Sequence, residues 1–164
     1  VKTVLYPPEI VDISQPVIFL AGPVQGAADW QTQAIEFIHG QHPEIIIANP
    51  RKVVPEDLFN HTIQSDWELH YLQKASVGGC ILFWLAKEET HNCERPFAKT
   101  TGQEYGFFIG KCFYDRANIA VGCHARYPSR KYSIHLLKKY GRGAIMHNDL
   151  FDTCQTAIRT CLQK

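Results

Sequence analysis

Glu104 stands in the stretch Thr100-Thr101-Gly102-Gln103-Glu104-Tyr105-Gly106, which follows an irregular segment and precedes Phe107, Phe108 and Ile109. The pattern predicts a short helix with Glu104 in its first turn, the three apolar residues turned inward and an end near Gly110-Lys111. A carboxylate in that place feels the positive end of the helix dipole and stays ionised. Ionised and positioned, it can serve as a nucleophile; as a plain first-turn acid it only favours the helix start. Asp66 and Glu68 lie on another predicted helix. Their spacing turns them to different faces, so one of them at most looks easily into a given pocket.

Other chemistries find little support. The six cysteines, Cys80, Cys93, Cys112, Cys123, Cys154 and Cys161, form no CxxC pair, and the eight histidines form no HExxH pattern. A metal site is therefore not expected, and no redox cofactor is called for. Thiols of this kind read as free and buried, in keeping with a reducing cytoplasm.

The elements that must position these acids are legible as apolar runs. Val17-Ile18-Phe19-Leu20-Ala21, Ile45-Ile46-Ile47-Ala48, Cys80-Ile81-Leu82-Phe83-Trp84-Leu85 and Ile119-Ala120-Val121-Gly122 suit strands buried on both faces of a parallel sheet. Gly143-Ala144-Ile145-Met146 is a shorter candidate. Between them fall predicted helices over 30–39, capped by Asp29, over 65–75, at Glu104, over 133–140 and over 150–162. The 65–75 helix carries Trp67, Leu69 (or His70), Tyr71, Leu72 and Ala75 on its apolar side. Residues 1–15, 52–62 and 86–101 read as irregular. Strand–helix alternation means one doubly wound α/β domain. A chain of 164 residues with 45% apolar and 20% charged residues suits one such domain.

A formal net charge of +1 implies no strong field for a nucleic-acid polymer or a membrane surface, and no apolar run is long enough to span a bilayer. The first residues lack the apolar stretch of a signal peptide, so a cytoplasmic location is expected. In a doubly wound sheet the ligand sits at the C-terminal strand ends. Those ends carry Gly22-Pro23, Asn49-Pro50-Arg51, Trp84-Leu85 and Gly122-Cys123-His124. Trp30 and Trp84 can stack on a base or fill the core, and Asn49 can bind ligand or make a turn before Pro50. The basic segment with Arg126, Arg130 and Lys131 is either a solvated loop or a phosphate binder.

Phe19-Leu20-Ala21-Gly22-Pro23, Trp30, Asn49-Pro50-Arg51, Trp67-Glu68, Ile81-Leu82-Phe83-Trp84 and Thr101-Gly102-Gln103-Glu104-Tyr105-Gly106, in that order, resemble the nucleoside 2-deoxyribosyltransferase family. The likeness spans roughly residues 17–130. It implies a flavodoxin-like, Rossmann-like domain that oligomerises and moves 2-deoxyribose between nucleobases. Its partners would be 2′-deoxyribonucleosides, free bases and further copies of itself. It also implies Glu104 as nucleophile, Glu68 as the second carboxylate with Asp66 as substitute, and Gly22, Pro23, Trp30, Asn49, Arg51, Trp84 and Tyr127 around the substrate. Tyr127, in Arg126-Tyr127-Pro128-Ser129-Arg130, would complete a neighbouring subunit's pocket. The chain departs from the family at Phe19, where many members carry a tyrosine, so an orienting phenol must come from Tyr105, Tyr127 or elsewhere. Two rival readings share the sheet: a deoxynucleoside 5′-monophosphate N-glycosidase using the basic loop for the phosphate, and a non-catalytic nucleotide-binding module.

Overall fold

A computed structural model describes residues 3–51 and 60–163. Among these residues, six strands lie in one all-parallel sheet: β1 (Val4–Leu5), β2 (Val17–Ala21), β3 (Ile46–Ala48), β4 (Cys80–Leu85), β5 (Ile119–Cys123) and β6 (Met146–His147). Their spatial order is β1-β3-β2-β4-β5-β6. Apart from the added edge strand β1, this is the flavodoxin-like doubly wound order, as expected. The chain steps from β2 outward to β3 and then crosses back to β4, so the strand order reverses at β2.

Among the described residues, five helices flank the sheet: α1 (Trp30–Gln41), α2 (His61–Gly78), α3 (Lys99–Asp115), α4 (Arg130–Tyr140) and α5 (Leu150–Leu162). Alternate residues of each strand feed opposite faces. Ile18, Leu20, Leu82, Trp84 and Ala120 pack against Ala34 and Ile38 of α1 and against Cys154, Ala157 and Ile158 of α5. Phe19, Ala21, Ile81, Phe83 and Val121 pack against Trp67, Tyr71 and Ala75 of α2 and against Tyr105, Phe108 and Ile109 of α3. The two faces explain the unbroken apolar runs: β2, β4 and β5 are buried at every position.

Several boundaries move from their sequence-based places. Part of the segment read as irregular at the N-terminus is β1; the carbonyls of Leu5 and of Thr3 just before the strand accept from the amides of Asn49 and Ile47 at 2.9 and 2.8 Å. Helix α2 starts at His61 because Asn60 caps it, its Oδ1 accepting from the Thr62 and Ile63 amides at 3.0 and 3.2 Å. Most of the loop expected over 52–62 lies outside the described residues. Helix α3 runs four residues beyond Lys111, past its glycines, since Tyr105, Phe108, Ile109 and Cys112 anchor it in the core. Helix α4 takes in Arg130 and Lys131, and β6 is confined to Met146–His147 because Gly143 turns the chain at φ +85°. Phe107 and Leu69, expected inside, face solvent.

Candidate functional site

Where the strand order reverses, the C-terminal ends of β2 and β3 open into a cavity of about 570 Å³. Phe19, Ala21, Gly22 and Pro23 line it from β2, Pro50 and Arg51 from beyond β3, Gln64 and Glu68 from α2, and Thr101 and Glu104 from α3. The switch point is where an open α/β sheet leaves room for a ligand.

Glu104 is the sixth residue of α3, not a first-turn acid, since the helix starts at Lys99. The dipole argument for a permanently ionised Glu104 therefore fails. Burial, and secondarily the charge of Glu68, push its carboxyl up from the ordinary 4.5 to about 8. Near neutral pH it holds its proton while Glu68 acts on it as a negative neighbour. The two acids of the cavity are thus unlike, a buried Glu104 that holds its proton and a Glu68 whose charge helps to keep it there.

Glu68 is half-buried and is oriented by its neighbour one turn earlier. Gln64 donates its amide to Glu68 Oε1 at 2.6 Å and to the Pro50 carbonyl at 3.0 Å. An i,i+4 spacing puts both side chains on one helix face. Asp66, two residues before Glu68, is exposed on another face and does not line the cavity. Glu68 is thus the carboxylate that meets Glu104.

The Gly22-Pro23 turn is shaped from below. A methyl group at Gly22 would sit 2.3 Å from the Trp84 carbonyl oxygen and 2.7 Å from the Trp30 ring. Trp30 is buried and its Nε1 donates to the Pro23 carbonyl at 2.9 Å. Trp30 supports the turn and does not line the cavity. Trp84 also stays outside it, packed on the α1/α5 face. Asn49 is a turn residue: buried, with its Oδ1 accepting from the Arg51 amide at 3.0 Å. Arg51 does line the cavity, with its guanidinium tied to Asp29 at 3.2 Å and to Gln31 Oε1 at 3.1 Å.

Tyr127 is buried within its own chain and lines a separate cavity of about 250 Å³ between α3 and α4. Burial, then Cys123, push its phenol up to about 12. Tyr105 donates its hydroxyl to the Ser133 carbonyl at 2.7 Å, so that phenol is engaged away from Glu104. Phe19 itself lines the main cavity, and neither Tyr105 nor Tyr127 does. The basic segment stands apart too, with Arg130 bonded to Asn148 at 2.6 Å.

The cavity includes polar residues that the sequence did not single out: Gln64, His61, Ser65, Arg95, Lys99 and Thr100. Gln64 carried one usable signal, its place one helical turn before Glu68. Arg95 and Lys99 sit at the end of the long polar loop, whose path no periodicity reveals. Among the described residues, no group of three or more His, Cys, Asp or Glu is placed to hold a metal ion, and no helix is long and apolar enough to cross a membrane.

No protein-family model matches this chain, and no curated protein matches it.

Proposed function

We propose that the protein is an N-deoxyribosyltransferase, an enzyme that moves 2-deoxyribose from one nucleobase to another through a covalent intermediate on Glu104. The observation that carries this reading is the Glu68–Glu104 pair in one cavity at the switch point, with burial and mutual charge raising Glu104 to about 8. Retaining glycosyl transfer needs two carboxyls in different protonation states, one as nucleophile and one as acid then base. A pair sharing one proton meets that need.

In the reactive form the shared proton sits on Glu68. Glu104 attacks C1′ on the face opposite the base as the C1′–N bond breaks. The bonding pair leaves with the base nitrogen, which takes the proton from Glu68. An incoming base then attacks C1′ from the vacated side, returns a proton to Glu68 and releases Glu104, with net retention. The transition state has oxocarbenium character, which the Glu104 carboxylate stabilises. Gln64 keeps Glu68 aimed at the departing base. Gly22 and Pro23 let the backbone approach the ligand, and Arg51 borders it. The scheme calls for no cofactor. We assign it to a homo-oligomer, in which the exposed Arg126, Pro128 and Ser129 face a neighbouring subunit while Tyr127 stays in its own core.

The test is base exchange. Deoxyinosine is incubated with and without adenine, using wild type, Glu104→Ala and Glu104→Gln. Deoxyadenosine made by wild type and lost in both variants supports the reading. Hypoxanthine released at the same rate without adenine makes the acceptor water. No turnover of any deoxynucleoside or deoxynucleotide overturns the enzyme reading in favour of a binding module.

A further inference from the structure

The near-neutral total charge hides a segregation along the chain. Residues 116–148 hold seven lysines and arginines and no aspartate or glutamate, which leaves ten such cations against sixteen acids everywhere else. Helix α4 carries the middle of this run. Its Ser133 and Leu137 turn into the core, while Lys131, Tyr132, His135, Lys138 and Lys139 are exposed. At about 100° per residue those five share an arc of about 120°. Arg142 follows just past the helix end, its Nη1 donating to the Phe113 carbonyl at 3.3 Å. Among the described residues, Lys131, Lys138, Lys139 and Arg142 take part in no ion pair. Asp115, at the end of the neighbouring α3, is paired with Lys111 at 3.6 Å.

Aromatic rings stand in water beside these charges. Tyr132 is 65% exposed and lies among the cations of α4. At the other end of the helix, Lys139 Nζ sits 5.3 Å from the Tyr140 ring. Tyr140 meets Phe113 edge-on at 5.6 Å, and Phe113 meets Tyr114 edge-on at 5.0 Å. Tyr114 is 81% exposed. Neither Tyr132 nor Tyr114 is part of the core, which α3 and α4 reach through Tyr105, Phe108, Ile109, Cys112 and Leu137. Cations interleaved with exposed rings make a surface that can hold phosphates by charge and bases by stacking.

We propose that this face, from Tyr132 along α4 to Tyr114, docks single-stranded nucleic acid, held through its phosphates and base faces without regard to sequence. The inference stands apart from the glycosyl-transfer reading and uses none of the residues of the main cavity. Charge complementarity calls for a polyanion, since the cations of the stripe have no partner within the chain. A total of +1 does not govern such a surface, because fields in salt decay within about 10 Å and the acids lie elsewhere. A single strand also offers its bases to Tyr132 and Tyr114, whereas a duplex keeps them inside its own stack. A membrane fits less well. The apolar side of α4 is already packed in the core, so the helix has no such face to insert between lipids. The rise from Lys131 to Lys139 is about 12 Å, room for about three or four phosphates.

The experiment follows the fluorescence anisotropy of a labelled oligothymidylate, about 20 nucleotides long, with four proteins. They are wild type, the triple variant Lys131→Glu/Lys138→Glu/Lys139→Glu, the same triple change to Gln, and Tyr132→Ala. Duplex DNA, heparin (charge without bases) and phosphatidylserine vesicles serve as competitors. All the changed positions are exposed, and melting temperature checks that each variant folds. Wild type is expected to bind the oligomer with a Kd of about 1–100 μM at about 50 mM salt, and about 20- to 50-fold more weakly at about 200 mM. The Glu variant should bind about tenfold more weakly or worse, and the Gln variant should show a shallower salt dependence. Tyr132→Ala should weaken the oligomer about fivefold or more and leave heparin unaffected. No binding at low salt, or binding that neither triple variant weakens, would overturn the proposal. Competition by heparin, duplex or vesicles as strong as by unlabelled oligomer, with no effect of Tyr132→Ala, would overturn it too and give the face to a partner recognised by charge alone. Base exchange is assayed separately, so failure here leaves the glycosyl-transfer reading standing.

Discussion

Gln64 and Glu68 are joined by a 2.6 Å hydrogen bond one helical turn apart, and the same Gln64 amide nitrogen reaches the Pro50 carbonyl at 3.0 Å. One side chain thereby ties the Glu68 carboxylate of α2 to the turn that follows β3. Gln64→Leu should lower kcat roughly tenfold or more while the melting temperature falls little, because positioning is lost and the helix is not. A full rate in Gln64→Leu would show that Glu68 is oriented without it.

The protonation of Glu104 sets a pH window for activity. On the transfer reading the leaving base draws on a proton held in the cavity, and Glu104 gives up its own at about 8. The kcat/KM profile should therefore fall as pH rises through about 8. A rate that climbs through that range would mean that Glu104 acts alone and that the base is protonated from elsewhere.

The same group costs stability, with a definite sign. Its folded value lies above the ordinary 4.5, so the folded state binds the extra proton. Stability is unaffected below the ordinary value, declines as pH rises through the interval, and levels off above about 8. Glu104→Gln should remove the decline. Its advantage over wild type should grow across the interval to about 1–3 kcal/mol, less than full burial would give because the cavity admits water. Equal pH dependence of the two melting curves would refute the assignment.

Trp30 and Gly22 make a packing prediction. Trp30→Phe removes the indole bond to Pro23 and should cost about 1–2 kcal/mol, together with a higher KM. Gly22→Ala places a methyl 2.3 Å from a carbonyl oxygen and should cost about 1–3 kcal/mol. Denaturant titration measures both.

The cysteines offer a quick check of the fold. Cys93 is exposed, whereas Cys80, Cys112, Cys123, Cys154 and Cys161 are buried. Burial also pushes the Cys123 thiol up to about 11 and that of Cys154 to about 12. A thiol reagent should label one site rapidly in the native protein and the rest only on unfolding.

How much the sequence disclosed follows from what each signal measures. Val17–Ala21 and Cys80–Leu85 were legible as strands because burial on both faces leaves an unbroken apolar run. Helical spacing turned Glu68 and Asp66 to different faces, but the choice of Glu68 between them rested on the resemblance, with Asp66 kept as substitute. The electrostatic state of Glu104 was not legible. It is set by burial and by the charge of Glu68, which no local pattern reveals, and the start of α3 after Ala98, with no capping side chain, gave no sign that Glu104 lies beyond the first turn. Trp30, Trp84 and Asn49 stood at the right strand ends, but shape decides whether such residues line a cavity or support its wall. Arg95 reaches the site through a loop fold set by tertiary contacts, and Thr101 through the start of α3 at Lys99.

The two-residue strand β1 has a consequence for solubility. Its carbonyls occupy the amides of Ile47 and Asn49, which would otherwise lie open along the Ile45-Ile46-Ile47 run. Such β-branched, uncharged edges template pairing with other chains. Trimming the chain up to Tyr6 should therefore produce intermolecular strand addition and aggregation from a still largely folded domain, making this small strand a guard against self-assembly.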